Sequence, residues 1–395
     1  MSPYPSRLPL AVPYWNGQTY RAALRASVTG QVVAGPAVDQ LKSLILSRID
    51  AADALLCGSG SLALEIVLAS CGVGRGDEVV IPSFCCTAIV PPIVNLSAIP
   101  VFADVGEELN ITAANIADVS TDKTKAVIVP HLFGNPAEIE AIGKIARAKS
   151  ISVIDDAAQA LGATIDGRSA GSFGDAGVIS FGAEKVCFGI GGGVAVSRRE
   201  RFFAGMELPR PRRASAMREF SSTLLRRRWR RWTFPLDSLL AKAEPDDPPL
   251  SYRREGMANI SAAVALTLAR TLDGNIAARR ERVCMYRELL GNAGPLQIIA
   301  HRAGSACLTQ VVRVLPRRSR EDSAARVIDA LRADGYEVQG SYVPIHLLPA
   351  YERWRRRPLP NTEEVWPDLI ELPCEPEVSL EDAELIAEII LRTIK

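Results

Sequence analysis

The sequence predicts an α/β protein, with a large domain on a mostly parallel central sheet and a smaller α+β C-terminal domain. Three observations carry that expectation. Between Ala54 and Val196 short β-rich runs alternate with helical stretches, a long helical pattern starts at Asn259, and the C-terminal part mixes a strand-like run with amphipathic helical ones. Alternation of strand and helix implies βαβ units, hence parallel pairing with helices on both faces of the sheet.

In chain order the strand candidates are EVVIP, IPVFADV, KAVIVPH, SISVIDD and AGVISF, separated by segments such as SLALEIVLAS and PAEIEAIGKIARAK. Ligands of such a sheet gather in the loops at the carboxyl ends of its strands. From about Arg210 to Pro249 the pattern gives way to arginines (PRPRRASAMREF, LLRRRWRRW) and then EPDDPP, which reads as an irregular excursion. A single helix is expected from Asn259 to about Leu290. CLTQVVRVL then reads as strand, SREDSAARVIDALRADG as helix, and SLEDAELIAEIILRTI as a closing amphipathic helix with Ser379 as N-cap and Glu381 and Asp382 in its first turn. The expected domains are 1–255 and 256–395.

A chain of 395 residues can bury a large core, and 48% hydrophobic with 23% charged residues is the balance of a globular protein rather than a disordered one. A formal net charge of +1 selects no class of partner. No apolar run is long enough to span a membrane, and the proline-broken N-terminus is not built as a signal peptide, so the expected address is the cytoplasm. The eight cysteines lie scattered without a CxxC pair, most of them in apolar runs, and are expected as buried free thiols. His131, His301 and His346 stand far apart without partner ligands, so no metal site is expected.

Residues 153–196, VIDDAAQALGATIDGRSAGSFGDAGVISFGAEKVCFGIGGGVAV, are the most informative stretch. A carboxylate pair ends an apolar strand, a glutamine follows, and a lysine sits beyond the next strand in a Gly-rich loop. Singly, such an aspartate is a helix cap and such a lysine a solvated charge. Together the pieces resemble the DegT family (DegT/DnrJ/StrS) of sugar aminotransferases, which use pyridoxal 5′-phosphate (PLP). The resemblance implies the PLP-dependent transferase fold type I. It assigns Asp156 to the pyridine nitrogen, Gln159 to the phenolic oxygen, Ser180 to the phosphate and Lys185 to the imine link with the cofactor. A carboxylate that keeps the ring nitrogen protonated makes the ring an electron sink, and a lysine amine both forms the imine and moves protons.

Upstream, CGSGSLALEIVL resembles the family's turn into a helix whose first N–H groups grip the phosphate, with Ser61 in the threonine position and Leu62 acting through its backbone N–H. GDEVVIPSF, PVFADV, PHLFGNPAEIEAI, YVPIHLLPAY and LIELPCEPEVSLED continue the likeness, which is dense over about residues 55–200 and looser over the last hundred.

Three positions depart from the family. Cys86 stands where an aromatic ring stacks on the cofactor, so either Phe84 or another aromatic replaces it or that face is thinly covered. Arg254 stands where an asparagine reaches the phosphate of the neighbouring subunit, either to bind that phosphate or as an ordinary surface charge. The VCFGIGGG loop is richer in glycine than the pattern and lacks its acidic residue. His131 is expected to be structural. The arginines of 210–231 suit a nucleotide diphosphate, an anionic surface, or simply a solvated helix face, and nucleic acid is not expected.

The function implied is ping-pong transamination. An amino acid, L-glutamate by resemblance, leaves its amine on the cofactor, and a keto sugar, nucleotide-linked by the same resemblance, collects it for amino-sugar, cell-surface polysaccharide or secondary-metabolite synthesis. A homodimer is implied, with sites between subunits. The rivals are a sugar dehydratase of the family, in which histidine replaces the lysine, and a catalytically silent PLP-binding homologue.

Overall fold

The computed structural model describes Leu8 and residues 14–224, 251–315 and 323–394. Its main sheet has seven strands, β1 (Asp53–Cys57), β2 (Glu78–Pro82), β3 (Ile99–Ala103), β4 (Thr124–Pro130), β5 (Ser152–Asp156), β8 (Ala176–Ser180) and β9 (Gly193–Ser197), in the spatial order β1-β9-β8-β5-β4-β2-β3. A two-stranded hairpin of β6 (Thr164–Ile165) and β7 (Arg168–Ser169) interrupts the numbering. All pairings from β3 across to β8 are parallel, while β9 runs antiparallel to both β8 and β1. β2 and β8 are buried at every position, as strands covered on both faces must be.

The helices of this part are α1 (Gly17–Val28), α2 (Ala37–Ile49), α3 (Gly60–Ser70), α4 (Val90–Asn95), α5 (Ala113–Val119) and α6 (Ile139–Ala148). α7 (Arg213–Thr223) and α8 (Asn259–Arg270) follow, and α1 and α2 both pack on α8. Helix α3 is apolar from Leu62 to Leu68 except at Glu65, with little periodicity, because it is buried against β1, β8 and β9.

The second sheet holds β10 (Leu296–Ile298), β11 (Thr309–Val314), β12 (Gln339–Gly340) and β13 (Leu369–Pro373), all antiparallel, in the order β10-β11-β13-β12. Helices α9 (Leu272–Leu290), α10 (Ser323–Ala333), α11 (Pro360–Val365) and α12 (Leu380–Thr393) complete this part. In α12 the Ser379 hydroxyl accepts the Asp382 N–H at 3.0 Å, and Ala383, Ile386, Ala387 and Ile390 form the buried stripe. Each isoleucine so buried contributes about 1.5–3 kcal/mol.

Two expectations change. The helix over 259–290 is broken at Thr271, which leaves helical geometry (φ −108, ψ 13) and caps α9, so that α8 stays with the first core while α9 runs on to the second. The arginine stretch is not irregular throughout, because α7 docks Phe220 beside Trp15 with ring centroids 6.4 Å apart. Residues 225–250, including RRRWRRW and EPDDPP, lie outside the described residues. Cys57, Cys85, Cys187, Cys307 and Cys374 are buried, whereas Cys284 is exposed.

Candidate active site

The loops after β1, β2, β4, β5 and β8 meet at one pocket, lined by Gly60, Ser61, Cys86, Asp156, Gln159, Ser180 and Lys185 with apolar walls that include Leu64, Ile89, Ala158 and Val178. The fold thus brings together six of the eight residues singled out in the sequence.

Strand alternation decides which of the two carboxylates reaches the pocket. Asp155 is fully buried and accepts hydrogen bonds from His131 Nε2 (2.7 Å) and from the N–H groups of Gly171 and Phe173 (2.8 Å each). His131 Nδ1 accepts the Ala137 N–H at 2.9 Å, so the ring proton sits on Nε2 and faces Asp155. His131 is therefore a structural strut. Asp156 faces the pocket and accepts the Ala158 N–H at 3.0 Å. Burial raises its pKa above the ordinary carboxylate value, opposed by the Ala158 N–H, Lys185 and His131.

The opposite flank is a helix N-terminus. Ser59 caps α3, its hydroxyl accepting the Leu62 N–H at 3.1 Å and donating to the Arg253 carbonyl at 3.2 Å. Leu62 thus spends its N–H on the cap and does not line the pocket. Ser61 Oγ donates to the Ala88 carbonyl at 3.3 Å, and the Gly182 N–H donates to Ser180 Oγ at 3.3 Å. Gly60 leaves Ser180 its place here, since a Cβ on it would stand 2.9 Å from Ser180 Oγ.

Gln159 is almost fully buried. Its Oε1 accepts the Phe133 N–H at 2.9 Å and its Nε2 donates to the Tyr342 hydroxyl at 3.1 Å. The sequence includes Tyr342 in YVPIHLLPAY but gives it no role, because its partner is 183 residues away. Phe84 is buried in a cluster with Phe133 and Tyr342, and the pocket lining holds no aromatic ring among the described residues; Cys86 lines it together with Cys85, Ala88 and Ile89.

Arg254 does not line the pocket. It forms a two-pronged ion pair with Glu65 on α3, one arm at 2.8 Å, and Tyr252 donates to the same carboxylate while Asn95 reaches both at 3.0 and 3.3 Å. The side chain of Arg254 is 56% exposed and that of Glu65 9%. Segment 253–257 is held along the end of β1 by the Gly58 N–H donating to the Glu255 carbonyl at 2.7 Å and the Met257 N–H to the Leu56 carbonyl at 3.3 Å. In the Gly-rich loop Gly191 and Gly192 have φ of +103 and +106, which accounts for the glycines there. Arg210, Arg212, Arg213 and Arg218 lie on the surface.

A second cavity, between α6, the β6–β7 hairpin and residues 302–304, is lined by Glu138, Glu140, Asp166, Lys144 and Arg302 and by none of the residues singled out in the sequence. The first pocket has the donor set that PLP needs: one amine, one carboxylate, two hydroxyls beside a helix N-terminus, one amide, and a side-chain-free glycine at the cradle.

A profile of the DegT/DnrJ/EryC1/StrS aminotransferase family matches residues 16–391, and the chain belongs to that family. GDP-perosamine synthase of Caulobacter vibrioides is 29% identical over 322 residues, covering 81% of this chain and 80% of that protein. Among solved structures, Helicobacter pylori PseC, an aminotransferase involved in the biosynthesis of pseudoaminic acid, superposes with a TM-score of 0.80 at 19% identity, covering 98% of this chain and 99% of that one. Escherichia coli GDP-4-keto-6-deoxy-D-mannose-3-dehydratase with bound hydrated PLP gives 0.79 at 18% identity, covering 98% and 100%. Both likenesses show the shared fold. Among the described residues no helix is long and apolar enough to cross a membrane.

Proposed function

We propose that the chain is a PLP-dependent aminotransferase that moves an amino group from an amino acid, L-glutamate by preference, to a keto sugar carried on a nucleotide, within the cytoplasm. The observation that supports this is the convergence of Lys185, Asp156, Gln159, Ser61 and Ser180 on one pocket at the carboxyl ends of the parallel strands. Bound PLP supplies a carbonyl carbon that takes up amines and a ring that accepts electrons.

The residues divide the remaining work. Lys185 holds the cofactor and carries the proton between substrate carbon and solvent. Asp156 pairs with the ring nitrogen and, as its counter-ion, keeps the nitrogen protonated. Ser61, Ser180 and the start of α3 take the phosphate, and Gln159 donates to the phenolic oxygen. Leu64, Ile89 and Val178 keep water from the reacting face.

Arg254 belongs to the proposal as a phosphate contact across a homodimer, released from Glu65 or sharing it. The division into a large domain (1–255) and a smaller one (256–395) is proposed with α8 lying across the junction. A dehydratase is disfavoured by Lys185, since the family resemblance gives those enzymes histidine there. Borohydride reduction of the PLP-loaded protein followed by peptide mapping should place the cofactor on Lys185, and a label on another lysine would refute the assignment.

A further inference from the structure

Gln159 has one acceptor and two donors to place. The Phe133 N–H takes the acceptor, which also fixes which way round the amide lies, and the Tyr342 oxygen takes one donor. One N–H is left for whatever fills the pocket that Gln159 lines. Neither partner is loosely held. Phe133 sits at φ +58, ψ +19, a left-handed conformation costly for an aromatic residue, secured by the Leu308 N–H donating to its carbonyl at 2.9 Å. Its ring stacks on Tyr342 at 5.9 Å and 20°.

Tyr342 comes from the second part of the chain, just after β12, and the same segment grips the main sheet again. The Ile345 N–H donates to the Ser83 carbonyl at 2.8 Å, and His346 Nδ1 shares a 2.6 Å hydrogen bond with Ser83 Oγ, three residues before Cys86. His346 Nε2 is held in turn by Glu363 at 2.9 Å. Residues 342–346 therefore touch both Gln159 and the end of β2 that leads to Cys86.

We propose that Tyr342 is a positioning residue, reaching from the smaller domain to hold the Gln159 amide so that its remaining N–H is aimed at the cofactor's phenolic oxygen. The inference rests on the cofactor reading of the pocket. Burial first, and then Glu371, Cys86, Cys85 and Glu184, hold the Tyr342 phenol well above its ordinary range, so its oxygen stays a neutral acceptor at working pH.

The test is Tyr342→Phe, which keeps both ring contacts, together with Gln159→Ala and the double variant, each loaded with PLP. The primary readout is the pH midpoint of the bound cofactor's visible absorption. A slackened N–H leaves more charge on the phenolic oxygen, so a proton beside it is retained longer, and Tyr342→Phe should raise the midpoint by about half a pH unit or more. The kcat should fall roughly tenfold with KM for the amino donor nearly unchanged. In the Gln159→Ala background the tyrosine change should have no further effect. An unmoved midpoint and kcat in Tyr342→Phe, or effects that add in the double variant, would overturn the proposal. If Tyr342→Phe does not fold, an unmoved midpoint in Gln159→Ala overturns it equally. A parent protein that forms no lysine-bound chromophore with PLP refutes the cofactor reading instead.

Discussion

The two sides of the β5 end are built from the same residue type and do opposite things. Behind the strand, Asp155 is closed in by three hydrogen-bond donors and ties the His131 turn to the loop before β8. In front, Asp156 accepts one backbone N–H and leaves the rest of its carboxylate to the pocket. The period of two along a strand turned one aspartate into a strut and left its neighbour facing the pocket. Chemical type alone therefore says little about role; the number of committed partners says more.

The largest expected effect breaks that contrast if it is wrong. Asp156→Asn should retain much of the cofactor affinity and lose transamination by several orders of magnitude, measured as single-turnover amine transfer. Asp155→Asn should instead lose stability by about 3 kcal/mol or more, read from urea unfolding, because the new amide presents N–H groups to donors in a closed site. Should Asp155→Asn be as stable as the parent and inactive, the two roles are reversed.

Arg254 sharpens the same question on the phosphate side. Arg254→Ala should weaken PLP binding by about one to two orders of magnitude if its guanidinium reaches a phosphate. Mixing it with Lys185→Ala should then restore partial activity, because one site of the heterodimer holds both groups. Unchanged affinity would leave Arg254 as no more than the partner of Glu65.

The smallest effect concerns His301, half-buried between Ser305 Oγ (2.8 Å) and the Thr309 carbonyl (3.0 Å). Burial lowers its pKa from 6.5 to about 4. The unfolded chain thus takes up the proton first as pH falls, and stability contributed above pH 6.5 is lost progressively down to about pH 4, at about 1 kcal/mol per pH unit. His301→Gln should flatten the pH slope of unfolding free energy in that window; an identical slope in both proteins would contradict the assignment.

Much of the pocket was legible because Asp156, Gln159, Ser180 and Lys185 lie within one strand–loop–strand stretch, where local spacing maps directly onto three-dimensional position. Ser61 was legible for a similar reason, as part of a turn into a helix. Leu62 does not line the pocket, because its N–H goes to the serine that caps the helix. Tyr342 and Glu65 were not legible, since each acquires its role from a partner more than 180 residues distant. The break at Thr271 escaped because apolar periodicity continues on both sides of it, with Leu272 and Ile276 still in the core that α8 serves. The Arg213–Thr223 helix was hidden by its own charge, its few apolar contacts lying under exposed arginines.

The bare backbone at the cradle sets limits on how this pocket can be altered. A Cβ at Gly193 would fall 2.6 Å from the Gly60 Cα, just as one at Gly60 would press on Ser180. Helix start and strand end interlock without intervening atoms, and a side chain at Gly193 would meet backbone that no side-chain rotation can clear. Laboratory selection for new acceptors should consequently leave positions 60 and 193 untouched and accumulate its changes at Cys86, Ala88 and Ile89, where a small thiol and two aliphatic groups leave room for rings to be introduced.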